Sequence, residues 1–135
     1  MSYGRQNIII GGIVLFIAAF GGMALGFTMD AYFSRGFYAM PLPRVLLKAG
    51  HTHGMPFALY NLIYGTLIDR LPLDDTWQQR GSRLAMLAFI MPAGLVLRGV
   101  TDGAMTFAPV VMIGALFFLS SAAVLVKGAV NMKKD

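Results

Sequence analysis

Four apolar windows, each closed off by charge, constrain what this chain can become. They run from Gln6 to Met29 between Arg5 and Asp30, from Ala49 to Ile68 between Lys48 and Asp69, around Leu84 to Leu97 between Arg83 and Arg98, and from Gly103 to Val126 between Asp102 and Lys127. A helix that crosses a bilayer needs roughly 20 mostly apolar residues, because about 30 Å of hydrocarbon is covered at about 1.5 Å per residue. The spacing predicts an all-α fold, a four-helix transmembrane bundle forming one integral membrane domain, with helices over about 6–29, 45–68, 82–100 and 105–127. The first window is too long for a secretory signal and reads as a retained anchor.

Composition excludes the soluble alternatives. Charged residues make up 13% of the 135 and hydrophobic ones 57%, whereas a soluble domain carries about 25% charge. There is no cysteine, hence no disulfide framework, thiolate metal site or cysteine nucleophile. The net charge of +5 does not indicate nucleic-acid binding, because the basic residues sit at the edges of apolar runs rather than on a soluble face.

The same residues set an orientation. With the N-terminus inside, the cytoplasmic segments hold Arg5, Arg70, Arg80, Arg83, Lys127, Lys133 and Lys134, and the outer ones Arg35, Arg44, Lys48 and Arg98. The excess places both termini on the cytoplasmic side and fits a bacterial inner membrane. The outer segment between the first two helices carries Tyr32, Phe33, Phe37 and Tyr38 around Arg35, a pattern suited to the headgroup layer as a short interfacial helix or an extended flap. In the inner loop, Asp74 or Asp75 is placed to cap a short helix carrying Trp77.

Two windows are short of oil. Gly54 to Ile68 covers about 22 Å, and the stretch between Arg83 and Arg98 about 21 Å. To cross, the second helix must draw in Gly50-His51-Thr52-His53, and one arginine must sit near or below the interface. His51, His53 and Arg98 then gather at the outer ends of their helices. Polar groups at membrane depth face a bundle interior or water, so a polar pocket is expected there, with Asp102 and Asp30 as counter-charges for Arg98. The bland alternatives are a snorkelling Arg98 and histidines that bond neighbouring carbonyls.

Residues two apart on a helix are separated by about 200°, so His51 and His53 point to nearly opposite sides; each serves a different ligand, or one serves a ligand and the other a neighbouring helix. Pro56 can kink the helix there. Gly54, Ala58, Leu62 and Gly65 form a small-residue stripe below His51, and Phe57, Tyr60 and Tyr64 an aromatic side below His53, with Asn61 beside them. That aromatic side suits a porphyrin or quinone, and equally a plain core with internal hydrogen bonds. Met29, Met40, Met55 and Met105 fall on the outer side, and thioether plus imidazole suits copper, though methionine is also ordinary core filler.

The His51-x-His53 pair on a membrane helix is similar to a feature of the haem–copper oxidase catalytic subunit, in which two such histidines on one helix serve two different haems. The resemblance covers three residues, and the chain is far too short to be that subunit. It implies separate ligands for the two imidazoles.

No serine–histidine–aspartate arrangement and no phosphate loop is present, and no carboxylate lies at mid-membrane to serve a proton-coupled exporter. The expectation is a small accessory subunit of a respiratory or redox membrane complex concerned with electron transport. It associates with other integral membrane subunits and lipids and has no nucleic-acid partner. Its cofactor is haem or copper, with His51, His53, Tyr60, Tyr64 and Arg98 as cofactor-binding residues and His51, His53 and Met55 as metal ligands. The alternatives are a purely structural, lipid-binding subunit without cofactor, and a stand-alone metal- or quinone-dependent membrane enzyme.

Overall fold

The structure, a computed structural model, describes residues 2–30 and 41–132. The aromatic segment around Arg35, with Met40, lies outside the described residues, and so do the side chains of Met29 and Asp30.

Helix α1 (Tyr3–Asp30) follows the first apolar window. Helix α2 (Pro41–Leu67) starts earlier than expected, because Pro41 and Pro43 fall in its first turn, where a missing N–H costs nothing. Pro56 does not break it. The third span is interrupted instead, by Pro92. Helix α3 (Asp75–Leu87) is capped by Asp74, whose carboxylate accepts from the Trp77 N–H at 2.9 Å, and helix α4 (Ile90–Val100) follows after a two-residue turn. Pro92 has no N–H for the Ala88 carbonyl; that carbonyl takes the Met91 N–H, and Phe89 N–H turns to Met86. Helix α5 (Ala108–Val130) completes the all-helical order.

Tyr3–Phe27, Asp75–Val100 and Met105–Val130 are long and apolar enough to cross a membrane. Their outward faces agree: Phe16, Phe20, Met23 and Phe27 on α1 and Leu116 and Leu119 on α5 are largely exposed, as lipid-facing side chains are. Helix α2 is more polar and better buried. It packs on α1 and α4, and its aromatic side reaches α5.

The α1–α2 seam is close because Gly4 and Gly65 meet backbone to backbone; a side chain on either would force the helices apart. Asp69, in the short 3-10 turn Ile68–Arg70, closes this end by accepting the Gly4 N–H on both carboxylate oxygens at 3.1 Å. It thereby serves one of the orphan donors of α1 from another element. Asp69→Ala is expected to cost about 1 kcal/mol and to speed hydrogen exchange in the first turn of α1. Unchanged exchange there would contradict this. At the same end the Tyr3 hydroxyl donates to Asp75 at 3.0 Å, and the Lys127 ammonium sits 3.5 Å from the centre of the Trp77 ring.

Above this end lies a fully buried polar cluster. Asn7 Nδ2 donates to Asn61 Oδ1 at 2.8 Å and to the Ser82 carbonyl at 3.2 Å, and the Ser82 hydroxyl donates to Asn7 Oδ1. Asn61 Nδ2 donates to the Phe57 carbonyl at 3.1 Å and to the Ala85 carbonyl at 2.9 Å. That last bond repairs the break in the third span. A regular helix would give Ala85 the Phe89 N–H, which the turn diverts to Met86, and the Asn61 amide takes its place. The cluster ties α1, α2 and α3 in one register.

Candidate functional site

Toward the other end, α1 and α4 both pack on α2 and approach it together at Gly54, and a cavity of about 430 Å³ opens between the three helices. Helix α1 contributes Val14, Ile17, Ala18, Gly21 and Leu25, a 3–4 residue spacing that keeps them on one face. Helix α2 supplies the floor with Leu47, Gly50, His51 and Gly54, and Phe89 leads into the α4 wall of Pro92, Ala93 and Val96. The volume is in the range of small-molecule and cofactor sites. The wall is apolar, floored by glycine, and holds one titratable side chain, His51.

His51 is held in a defined way. Its Nδ1 lies 3.0 Å from the Ala18 carbonyl. A carbonyl only accepts, so Nδ1 is the donor, and in the neutral ring the lone pair is then on Nε2. Nε2 has no hydrogen-bond partner among the described residues. The ring edge lies against Gly22, where an added Cβ would collide with it. An imidazole that gives one nitrogen to a carbonyl and keeps the other free is arranged as metal-ligating histidines usually are.

His53 turns away, as the helical angle requires. Its Nδ1 donates to the Ala49 carbonyl of its own helix at 2.8 Å, and its ring meets Phe57 edge-on. Phe57 stacks on Phe118 at 4.6 Å between ring centres. Tyr60 shares a 2.9 Å hydrogen bond with Ser121, and fully buried Tyr64 donates to the Ser121 carbonyl at 3.4 Å. The aromatic side of α2 is thus a filled α2–α5 seam with internal hydrogen bonds, and Tyr60 and Tyr64 do not line the cavity. The stripe of Gly54, Ala58, Leu62 and Gly65 packs on α1.

The expected gathering of His51, His53 and Arg98 divides into three places. Arg98 points into the α4–α5 turn, where Nη2 donates to the Gly103 carbonyl at 3.5 Å and to Met105 Sδ at 3.3 Å, and its buried Nε has no partner among the described residues. Asp102, in a left-handed conformation at φ 57°, forms no ion pair with it. Met55 is half-buried and is not in the cavity wall. Among the described residues no group of three histidine or acidic side chains converges. Sequence reasoning missed the α1 wall of the cavity and the partners Asn7, Ser82 and Ser121. The 14-18-21-25 spacing was the readable signal for the wall; nothing local marks the serines. No protein-family model, curated protein or solved structure matches the chain.

Proposed function

We propose that the chain is a small accessory subunit of a membrane-embedded redox assembly, crossing the bilayer four times, with both termini on the cytoplasmic side and a haem held against His51. One observation carries the reading: the titratable side chain in the wall of an apolar, glycine-floored cavity has its proton committed to the Ala18 carbonyl and its Nε2 lone pair free. The apolar wall would suit a flat macrocycle, and His51 is the residue that would hold it. Copper is less well served, since the wall brings neither a thioether nor a second imidazole. A haem held here supplies one-electron chemistry. The protein's own part is to fix the imidazole tautomer, exclude water and offer one ligand. His53, Tyr60, Tyr64 and Arg98 act in packing on this reading. Orientation is supported by Arg5, Arg70, Arg80, Arg83 and Lys127 at the Tyr3–Asp69 end against Arg44, Lys48 and Arg98 at the other.

The test is isolation in native lipid from haem-replete cells. A Soret band with one haem per chain, in a particle larger than the monomer, is expected. A haem-free chain contradicts the cofactor, and a haem-loaded chain that is always monomeric contradicts the accessory role. Gly22→Ala pushes on the His51 ring and is expected to lower haem occupancy by about tenfold, in line with lost ligand support, while circular dichroism keeps its helical form. Full occupancy in that variant would show that the ring position is irrelevant.

A further inference from the structure

The face of α2 turned away from the bundle carries Val45, Lys48, Thr52, Pro56, Leu59 and Ile63, all exposed. The three aliphatic residues suit lipid. The stretch between them does not. Measured from Gly65, which meets α1 at Gly4, Thr52 lies about 20 Å and Lys48 about 26 Å along the helix, both within a hydrocarbon layer about 30 Å deep. Pro56 has no N–H, so the Thr52 carbonyl lacks its usual donor. The Thr52 hydroxyl is already committed, donating to the Lys48 and Ala49 carbonyls at 3.0 and 3.2 Å. One turn above, Lys48 sets an ammonium on the same side, with no ion-pair partner among the described residues. Hydrocarbon satisfies neither a freed carbonyl nor a cation.

We infer that this face docks a transmembrane helix of a partner subunit that carries a carboxylate about one turn above a hydroxyl or amide donor. The carboxylate pairs with Lys48 and the donor takes the Thr52 carbonyl. A second copy of this chain does not fit in the same orientation: Asp69, Asp74 and Asp75 lie at the opposite end, Asp102 lies in the α4–α5 turn, and Asp30 ends α1 about 13 Å beyond the level of Lys48, counted from the Gly4–Gly65 contact. The inference rests on the accessory-subunit reading and names the partner's chemistry; it is independent of the haem.

The test uses the full chain in phosphatidylcholine vesicles containing a minor fraction of phosphatidylglycerol, with a donor dye on Val130→Cys, a position in a chain that has no native cysteine. The probe is an acceptor-labelled Leu/Ala transmembrane peptide with one Asp a turn above one Ser. Its control has Leu at both places. The wild-type surface is expected to bind the Asp/Ser peptide at least about tenfold more tightly than the control, as one desolvated charge pair allows. Lys48→Met should abolish the preference, and Pro56→Ala, which returns an N–H to the Thr52 carbonyl, should reduce it. Equal binding of the two peptides, or a preference unchanged in Lys48→Met, overturns the inference. So does a Lys48-dependent enrichment of phosphatidylglycerol without any peptide preference, which assigns the ammonium to lipid headgroups. Haem occupancy is unaffected by Lys48→Met, so failure here leaves the cofactor reading standing.

Discussion

His51→Ala lowers haem affinity by about 100-fold or more, the scale on which metal sites respond to ligand and support changes, while His53→Ala leaves it within about twofold. The contrast follows from where each imidazole spends its nitrogens. Both give Nδ1 to a backbone carbonyl, but the His51 bond runs across to Ala18 on α1 at the cavity wall, and the His53 bond runs back to Ala49 on its own helix. Only His51 lines the cavity. A haem titration followed at the Soret band, with circular dichroism to confirm folding, separates the two. Added imidazole is expected to restore part of the band in His51→Ala, which a purely structural histidine would not show. Equal losses in both variants would place the ligand elsewhere.

Asn61→Leu destabilises the bundle by about 1–3 kcal/mol, although it replaces a polar residue by an apolar one of similar shape inside an apolar protein. Interhelical hydrogen bonds in membranes are worth about 0.6 kcal/mol on average and up to about 1.7, and this substitution removes two of them. It also strands the partners. Asn7 Nδ2 keeps only the Ser82 carbonyl, and the Ala85 carbonyl, already abandoned by its own helix at the α3–α4 turn, loses its replacement donor. Leaving buried polar groups unpaired costs more than the bond itself. Tyr60→Phe, which removes one half-buried bond to Ser121, provides the scale, with an expected loss below about 1 kcal/mol. Unfolding in mixed detergent micelles measures both. An Asn61→Leu chain as stable as wild type would show that the cluster does not set the register.

The helices were readable because a bilayer imposes a length, and charges at Arg5, Lys48, Asp69 and Lys127 bracket the runs that meet it. The opposed directions of His51 and His53 followed from the helical angle alone. What escaped was tertiary. Pro56 and Pro92 look alike in the sequence, yet α2 runs on through the first while the span breaks at the second, where Asn61 from another helix can serve a freed carbonyl. Arg98 looked like a pocket residue because its window was short; the left-handed turn at Asp102 and Gly103 curls back to offer it a carbonyl and a sulfur instead. Tyr60 and Tyr64 suited a ring on composition, but Ser121 and Phe118 on α5 fill that side, and no pattern within α2 announces them. The cavity is a product of three helices, so no single window contains it.

The proposed haem site and the proposed docking face both require α2 to be a fourth crossing, with Thr52 about 10 Å below the outer boundary of the hydrocarbon. Spin labels on Thr52→Cys and Arg44→Cys in lipid vesicles, in a chain otherwise free of cysteine, measure that depth through relaxation by oxygen and by a water-soluble nickel complex. The label at 52 is expected to respond to oxygen and not to nickel, and the label at 44 to respond to nickel. A label at 52 as open to nickel as the one at 44 would put His51 outside the oil and contradict the four-span arrangement.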